Sequence, residues 1–149
     1  MIIITGASRG IGAFLVKSYH ETGEEITGIY KGSADSELPV YDNVRMVQLD
    51  ISDYEKTEAW FKTAGLEGKD ITLINCAGIN YNSFGHKADI ASWKNVIEVN
   101  LVATFNLIRL CLPFMREKGW GRIINMSSVV SQKGIPGTSA YAASKAALN

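Results

Sequence analysis

Tyr141 and Lys145 stand four positions apart in Y-A-A-S-K, and Ser128 lies thirteen positions before the tyrosine in N-M-S-S-V. Positions i and i+4 share one face of a helix, which brings a phenol and an ammonium together. A helix that had only to pack would be served by Phe, Ala or Leu. A phenol has a pKa of about 10, and a cation within a few ångströms favours its ionised form. Bringing that value toward the working pH makes a tyrosine a usable proton donor and acceptor. Ser128 ends a predicted strand, where its hydroxyl is suited to polarise a carbonyl. The triplet therefore predicts proton transfer at an oxygen, and its weight comes from the other end of the chain.

That end reads M-I-I-I-T-G-A-S-R-G-I-G. Ile2, Ile3 and Ile4 form a short apolar run suited to a buried parallel strand. Gly6, Gly10 and Gly12 follow in the spacing TGxxxGxG, and a helical stretch begins near Ile11 with Ala13, Phe14, Leu15, Val16 and Tyr19. Strand, glycine turn and helix N-terminus in that order are the context in which a glycine motif holds a dinucleotide. Glycine permits the tight turn and lets backbone N–H groups approach a pyrophosphate. The helix N-terminus adds free donors and a favourable dipole. Gly6, Ser8, Arg9, Gly10, Ile11 and Gly12 are candidate cofactor contacts.

Between these ends, strand-like and helical patterns alternate. The pattern predicts strands near 2–5, 25–30, 44–49, 70–75 and 121–126, and helices near 11–22, 53–64, 89–118 and 140–149. Such alternation argues for an α/β fold, a parallel sheet with helices on both faces. The polar connection 31–43, with Gly and Pro, reads as a loop. There is no internal repeat or linker, so residues 1–149 read as one domain. Leu101, Phe105, Ile108 and Leu112 recur at helical spacing and read as core, with Arg109 and Arg116 on the solvated side. Trp60, Trp93 and Trp120 read as packing residues. His20 and His86 read as isolated surface or loop residues, and Ser127 as a structural hydroxyl.

Fifteen Lys and Arg balance fifteen Asp and Glu, so nothing signals nucleic acid or a polybasic membrane contact. The two cysteines, Cys76 and Cys111, form no metal spacing and no disulfide framework, which fits a reducing cytoplasm. No charged segment followed by an apolar one opens the sequence, so no signal peptide is expected, and no stretch reads as long and apolar enough to span a bilayer.

The two ends together resemble the short-chain dehydrogenase/reductase family across residues 2–149, and further segments match it in order. Asp50 and Ile51 in L-D-I-S-D resemble the acidic element that contacts adenine. N-C-A-G, Asn75 to Gly78, resembles the family's N-N-A-G element, with Cys76 replacing the second Asn, and places Asn75, Ala77 and Gly78 at the cofactor. Asn100 in V-N-L resembles the helix Asn that joins Ser, Tyr and Lys in a tetrad. There it would steady a water-linked proton path to the lysine. The TGxxxGxG spacing departs from the epimerase branch. G-R-I-I-N-M-S-S-V and Y-A-A-S-K-A-A-L look most like the 3-oxoacyl-carrier-protein reductases.

The resemblance implies a Rossmann-type doubly wound sheet, apparently without its last strands. It also implies hydride transfer between a nicotinamide cofactor and a carbonyl or secondary alcohol, with no metal. Tyr141 would exchange the proton, Lys145 would assist it and bind the nicotinamide ribose, and Ser128 would hold the reacting oxygen. A homodimer or homotetramer is implied, because the helix carrying Phe105 commonly forms the dimer interface in this family.

NAD-binding versions of the turn carry an acidic residue about 20 positions beyond the glycines. Here Tyr30 occupies that position, Lys31 follows it, and Arg9 lies within the glycine motif. Two cations and no carboxylate suit the 2′-phosphate of NADP(H), while NAD(H) would require Asp35 or Glu37 to swing in. Family members continue well past Lys145, whereas this chain stops at Asn149. The fifth strand is then expected to be an exposed sheet edge and the last helix a short, frayed stub. A fragment of a longer enzyme, a truncation that pairs with another chain, and a dinucleotide-binding module of weak catalytic power are the alternatives.

Overall fold

The structure is a computed structural model that describes residues 1–32, 38 and 40–149; Asp35 and Glu37, and with them part of the 31–43 connection, lie outside the described residues. The elements are β1 (Ile2–Thr5), α1 (Gly10–His20), β2 (Ile26–Tyr30), β3 (Val44–Gln48), α2 (Tyr54–Thr63), β4 (Ile71–Asn75), α3 (Ile90–Ile97), α4 (Ala103–Lys118), β5 (Gly121–Asn125) and α5 (Ser139–Ala146). All five strands pair in parallel in the order β3-β2-β1-β4-β5. β1 is central and wholly buried, as its three isoleucines require, whereas β5 is an edge strand whose first two residues are exposed.

Successive strand residues point to opposite faces, so the isoleucines of β1 divide between two cores. Ile3 packs with Ile29, Leu73, Phe61 of α2, and Ala103, Leu107, Cys111 and Met115 of α4. Ile2 and Ile4 pack with Ile26, Ile74 and Val16 of α1. Helices therefore cover both faces. Asp53 caps α2 by accepting from the Lys56 amide, Asp89 caps α3 by accepting from the Ser92 amide, and Gly119 ends α4 in the left-handed conformation (φ 71°).

Three expectations change. The long helix is not uniform, because a π turn over Glu98–Val102 separates α3 from α4. The stripe Leu101, Phe105, Ile108, Leu112 is core only in part: Ile108 packs against the core, but Phe105 is 61% and Leu112 40% exposed, and the fully covered side is that of Ala103, Leu107, Cys111 and Met115. This helix is apolar on two sides, and periodicity cannot choose between them. For the same reason the run Ile90–Lys118 is long and apolar enough to cross a membrane by length and composition, contrary to the sequence expectation. In this fold its inner side packs on the sheet. On α1, Phe14 likewise faces solvent, at 67% exposed, although it falls within the apolar helical pattern.

Candidate active site

Strand order reverses direction between β1 and β4, and a crevice opens where their C-terminal ends diverge. The glycine turn leaves β1 there and N-C-A-G leaves β4 beside it. Thr5, at the end of β1, ties the two: its buried hydroxyl accepts from the amides of Cys76 (3.1 Å) and Ala77 (3.0 Å). The contact leaves no room for side chains. A Cβ on Gly6 would lie 2.8 Å from the Ala77 Cα, and one on Gly12 would overlap the Gly6 carbonyl oxygen. Gly10, at φ 56°, faces open space.

A cavity of about 940 Å³ fills the crevice. Gly6, Ser8, Arg9, Gly10, Ile11 and Gly12 line one wall, Tyr30, Lys31, Asp50 and Ile51 a second, and Ala77 and Gly78 a third. Arg9 is the N-cap residue of α1 and makes no capping side-chain bond. The amides of the first helical turn, which have no intrahelical acceptor, are therefore presented to the cavity without one from their own cap. Free amides beside side-chain-free backbone fit a pyrophosphate. Sequence reading missed five other lining residues, Ile29, Leu49, Cys76, Ile79 and Val99, each of which neighbours a recognised motif position. It also missed Gly32, beyond the end of β2.

At the far end of β2 and β3 the charges are already paired. The Lys31 ammonium lies 2.6 Å from Asp50 Oδ2, while Asp50 Oδ1 accepts from the Ser52 amide (3.1 Å) and hydroxyl (2.7 Å). Burial pushes the Asp50 carboxyl up, but Lys31 and Ser52 together hold it below the usual carboxylate range. Lys31 is thus not the unengaged cation that the sequence suggests. Tyr30 contributes to the cavity wall but is otherwise buried.

Asn75 is not brought to the cavity wall. Its side chain is buried, where Nδ2 donates to Asn125 Oδ1 across the β4–β5 pair and Oδ1 has no partner among the described residues.

Of the proposed tetrad, Asn100 and Lys145 lie beside Gly78 and Tyr141 lies next to Lys145, whereas Ser128 makes its contact locally; none of the four is among the residues that line the cavity. α5 is short, as expected, but it is tied down rather than frayed. Ser127 Oγ donates to the Lys145 carbonyl, the Lys145 ammonium donates to the Met126 carbonyl at 2.7 Å, and Asn100 Nδ2 donates to Ser144 Oγ at 3.1 Å. The Lys145 ammonium sits 5.7 Å from the centroid of the Tyr141 ring and 3.6 Å from where a Gly78 Cβ would be. Lys145 is buried, and desolvation pulls its pKa below the ordinary lysine value, with nearby Cys76 acting weakly the other way. Ser128 follows β5 and caps a short 3-10 turn, its hydroxyl accepting from the Val130 amide.

Asn100 occupies the π turn and is fully buried. Its carboxamide clamps the backbone of Ile79, accepting from the amide (2.8 Å) and donating to the carbonyl (2.9 Å). A π turn widens the helix by one residue and is common at functional sites. Here it carries the side chain that joins the loop after β4 to α5.

Comparison with known proteins agrees with this architecture. The chain is 35% identical over 147 residues to an acetoacetyl-CoA reductase of Paracoccus denitrificans, covering 97% of this chain and 61% of that protein. It is 32% identical over 154 residues to the 3-oxoacyl-acyl-carrier-protein reductase FabG of Staphylococcus aureus, covering 98% and 63%. The chain thus spans about three fifths of the length of these relatives. Among solved structures, a 4-hydroxyisoleucine dehydrogenase complexed with NADH and succinate superposes with a TM-score of 0.88 at 32% identity, covering 99% of this chain and 68% of that one. The family model for short chain dehydrogenases matches residues 1–149. With its glycine turn, switch-point crevice and Tyr–Lys helix in the order that family uses, the chain belongs to the short-chain dehydrogenases.

Proposed function

We propose that the chain is the nucleotide-binding and catalytic part of an NADP(H)-dependent oxidoreductase acting on a small-molecule carbonyl or secondary alcohol. The observation that carries this reading is the Lys145 ammonium beside Gly78, a residue of the cavity wall, with the Tyr141 ring 5.7 Å from that ammonium, while Arg9, Lys31 and Asp50 line the same cavity. A reductase acting on a 3-oxoacyl thioester is the favoured substrate class, since the named relatives reduce acetoacetyl-CoA and 3-oxoacyl-acyl-carrier protein.

In this reading the amides of the α1 N-terminus hold the pyrophosphate, Asp50 and Ile51 flank the adenine, and Ala77 and Gly78 form the floor. The nicotinamide, when bound, supplies or accepts a hydride. Tyr141 gives a proton to the carbonyl oxygen in reduction and takes it back in oxidation. The Lys145 ammonium, fixed by the Met126 carbonyl, is the positive charge that steadies the tyrosine oxygen while the proton is away. Ser128 donates to the reacting oxygen. Asn100 positions α5 and Ile79 through its carboxamide. The exposed apolar residues Phe105 and Leu112 of α4, with Val102 at the end of the π turn, suit self-association as a homodimer or homotetramer.

The second reading, a dinucleotide-binding module without turnover, needs the glycine turn and N-C-A-G but not the Tyr–Lys pair. Tyr141→Phe separates the two. It is expected to abolish reduction of a 3-oxoacyl thioester while leaving NADPH binding, followed by fluorescence titration, within about twofold of the parent chain. Turnover retained in Tyr141→Phe refutes the assignment of the proton donor.

A further inference from the structure

The Lys31–Asp50 pair has a consequence for cofactor choice. Tyr30 pairs with Gln48 in parallel register, so Lys31, just after β2, and Asp50, just after β3, emerge side by side at the rim of the cavity. The two ends of the pair are not equally free. Asp50 is held in place through Oδ1 by the Ser52 amide and hydroxyl. The lysine side chain is 69% exposed on a flexible stem, and among the described residues its ammonium is engaged by Oδ2 alone. Lys31 is therefore the partner that moves.

We propose that Asp50 is a specificity-determining residue acting through Lys31: its carboxylate competes with a 2′-phosphate for the lysine ammonium and so limits how strongly NADP(H) is preferred over NAD(H). The inference rests on the dinucleotide reading above. A dinucleotide without the 2′-phosphate leaves the pair undisturbed. One with it gains Lys31 only by drawing the ammonium off Asp50, and that exchange offsets part of the attraction between phosphate and lysine. Arg9 lines the same cavity and is not paired with this carboxylate, so its contribution is independent of the exchange. Both dinucleotides carry the same adenine, so any change in contact between residue 50 and the base cancels in the ratio of their affinities.

The test is the ratio of NADH to NADPH dissociation constants, from fluorescence titration of the chain and three variants. Asp50→Asn keeps an oxygen for the Ser52 amide and releases Lys31. It is expected to raise the ratio about fivefold, the equivalent of freeing a partly exposed ion pair. Lys31→Met is expected to lower the ratio. Asp50→Asn introduced into Lys31→Met is expected to leave it where Lys31→Met alone puts it. Unchanged urea midpoints establish that the variants fold. A ratio that stays the same or falls in Asp50→Asn overturns the proposal. So does a rise of equal size in the Lys31→Met background, which would mark a general field effect of removing a negative charge. If the parent chain binds neither dinucleotide, the dinucleotide reading itself is wrong and the proposal falls with it.

Discussion

Replacing Asn100 by alanine tests whether the π turn holds the site together. The side chain makes three hydrogen bonds, two to the partly buried Ile79 backbone and one, fully buried, to Ser144. At about 1 kcal/mol net for each bond, the direct loss is roughly 3 kcal/mol. Two details move this figure. Ser144 keeps its bond to the Tyr141 carbonyl, so its hydroxyl is not stranded. The Ile79 peptide borders the cavity, where water replaces part of what is lost. The void left at a fully buried position acts in the opposite direction. The expected cost is therefore about 2–4 kcal/mol, or roughly 6–12 °C in melting temperature for a chain of this size. Urea unfolding reads it directly, as a lower midpoint at unchanged slope. Asn100→Asp keeps an acceptor for the Ile79 amide but has no donor for the Ile79 carbonyl or Ser144, and it is expected to fall between the two. A loss below about 1 kcal/mol in Asn100→Ala, or an Asn100→Asp as stable as the parent, refutes the clamp.

Two further outcomes follow from the same geometry. Lys145 is buried and its pKa lies below the ordinary value of 10.5. Between that lowered value and 10.5 the unfolded chain binds more protons than the folded one, so this group makes stability rise with pH across the window. Lys145→Met is expected to remove that rise. Urea midpoints of parent and variant, measured at a series of alkaline pH values, should diverge in favour of the parent, and a constant difference refutes the argument. Phe105, 61% exposed on α4, is expected to sit in a self-association surface. Phe105→Glu should shift sedimentation toward monomer without changing the urea midpoint by more than about 0.5 kcal/mol equivalent; an unaltered sedimentation profile from an oligomeric parent places the interface elsewhere.

How far the site could be read in the chain depended on the range of each interaction. The glycine turn was legible because its constraints are local. Gly6 needs a positive φ, and Gly12, in the first turn of α1, sits against the Gly6 carbonyl, all within seven residues. The Tyr141–Lys145 pair was legible because helical spacing alone brings i and i+4 together. The parallel sheet followed from alternation of apolar strands and helices, with strand limits agreeing to within a residue.

Other features were set by contacts between distant segments. Which side of α4 is buried was decided by β4 and β5, since the helix offers apolar residues on two sides and its sequence does not choose. That Asn100 clamps Ile79 and Ser144 required α3, α4 and α5 to converge, and no local pattern marks a π turn. Asn75 belongs to a motif that reads as cofactor-binding, yet strand pairing turns its amide toward Asn125. Lys31 and Asp50 are nineteen positions apart and meet only because β2 and β3 run parallel in one register. The local pieces, namely the turn, the periodic elements and the Tyr–Lys spacing, are written in the chain, because backbone sterics and helical geometry act over a few residues. Tertiary structure decided which charges neutralise one another, which apolar side is covered and which amides face the cavity, because electrostatic pairing and burial depend on distances in space that chain spacing does not specify.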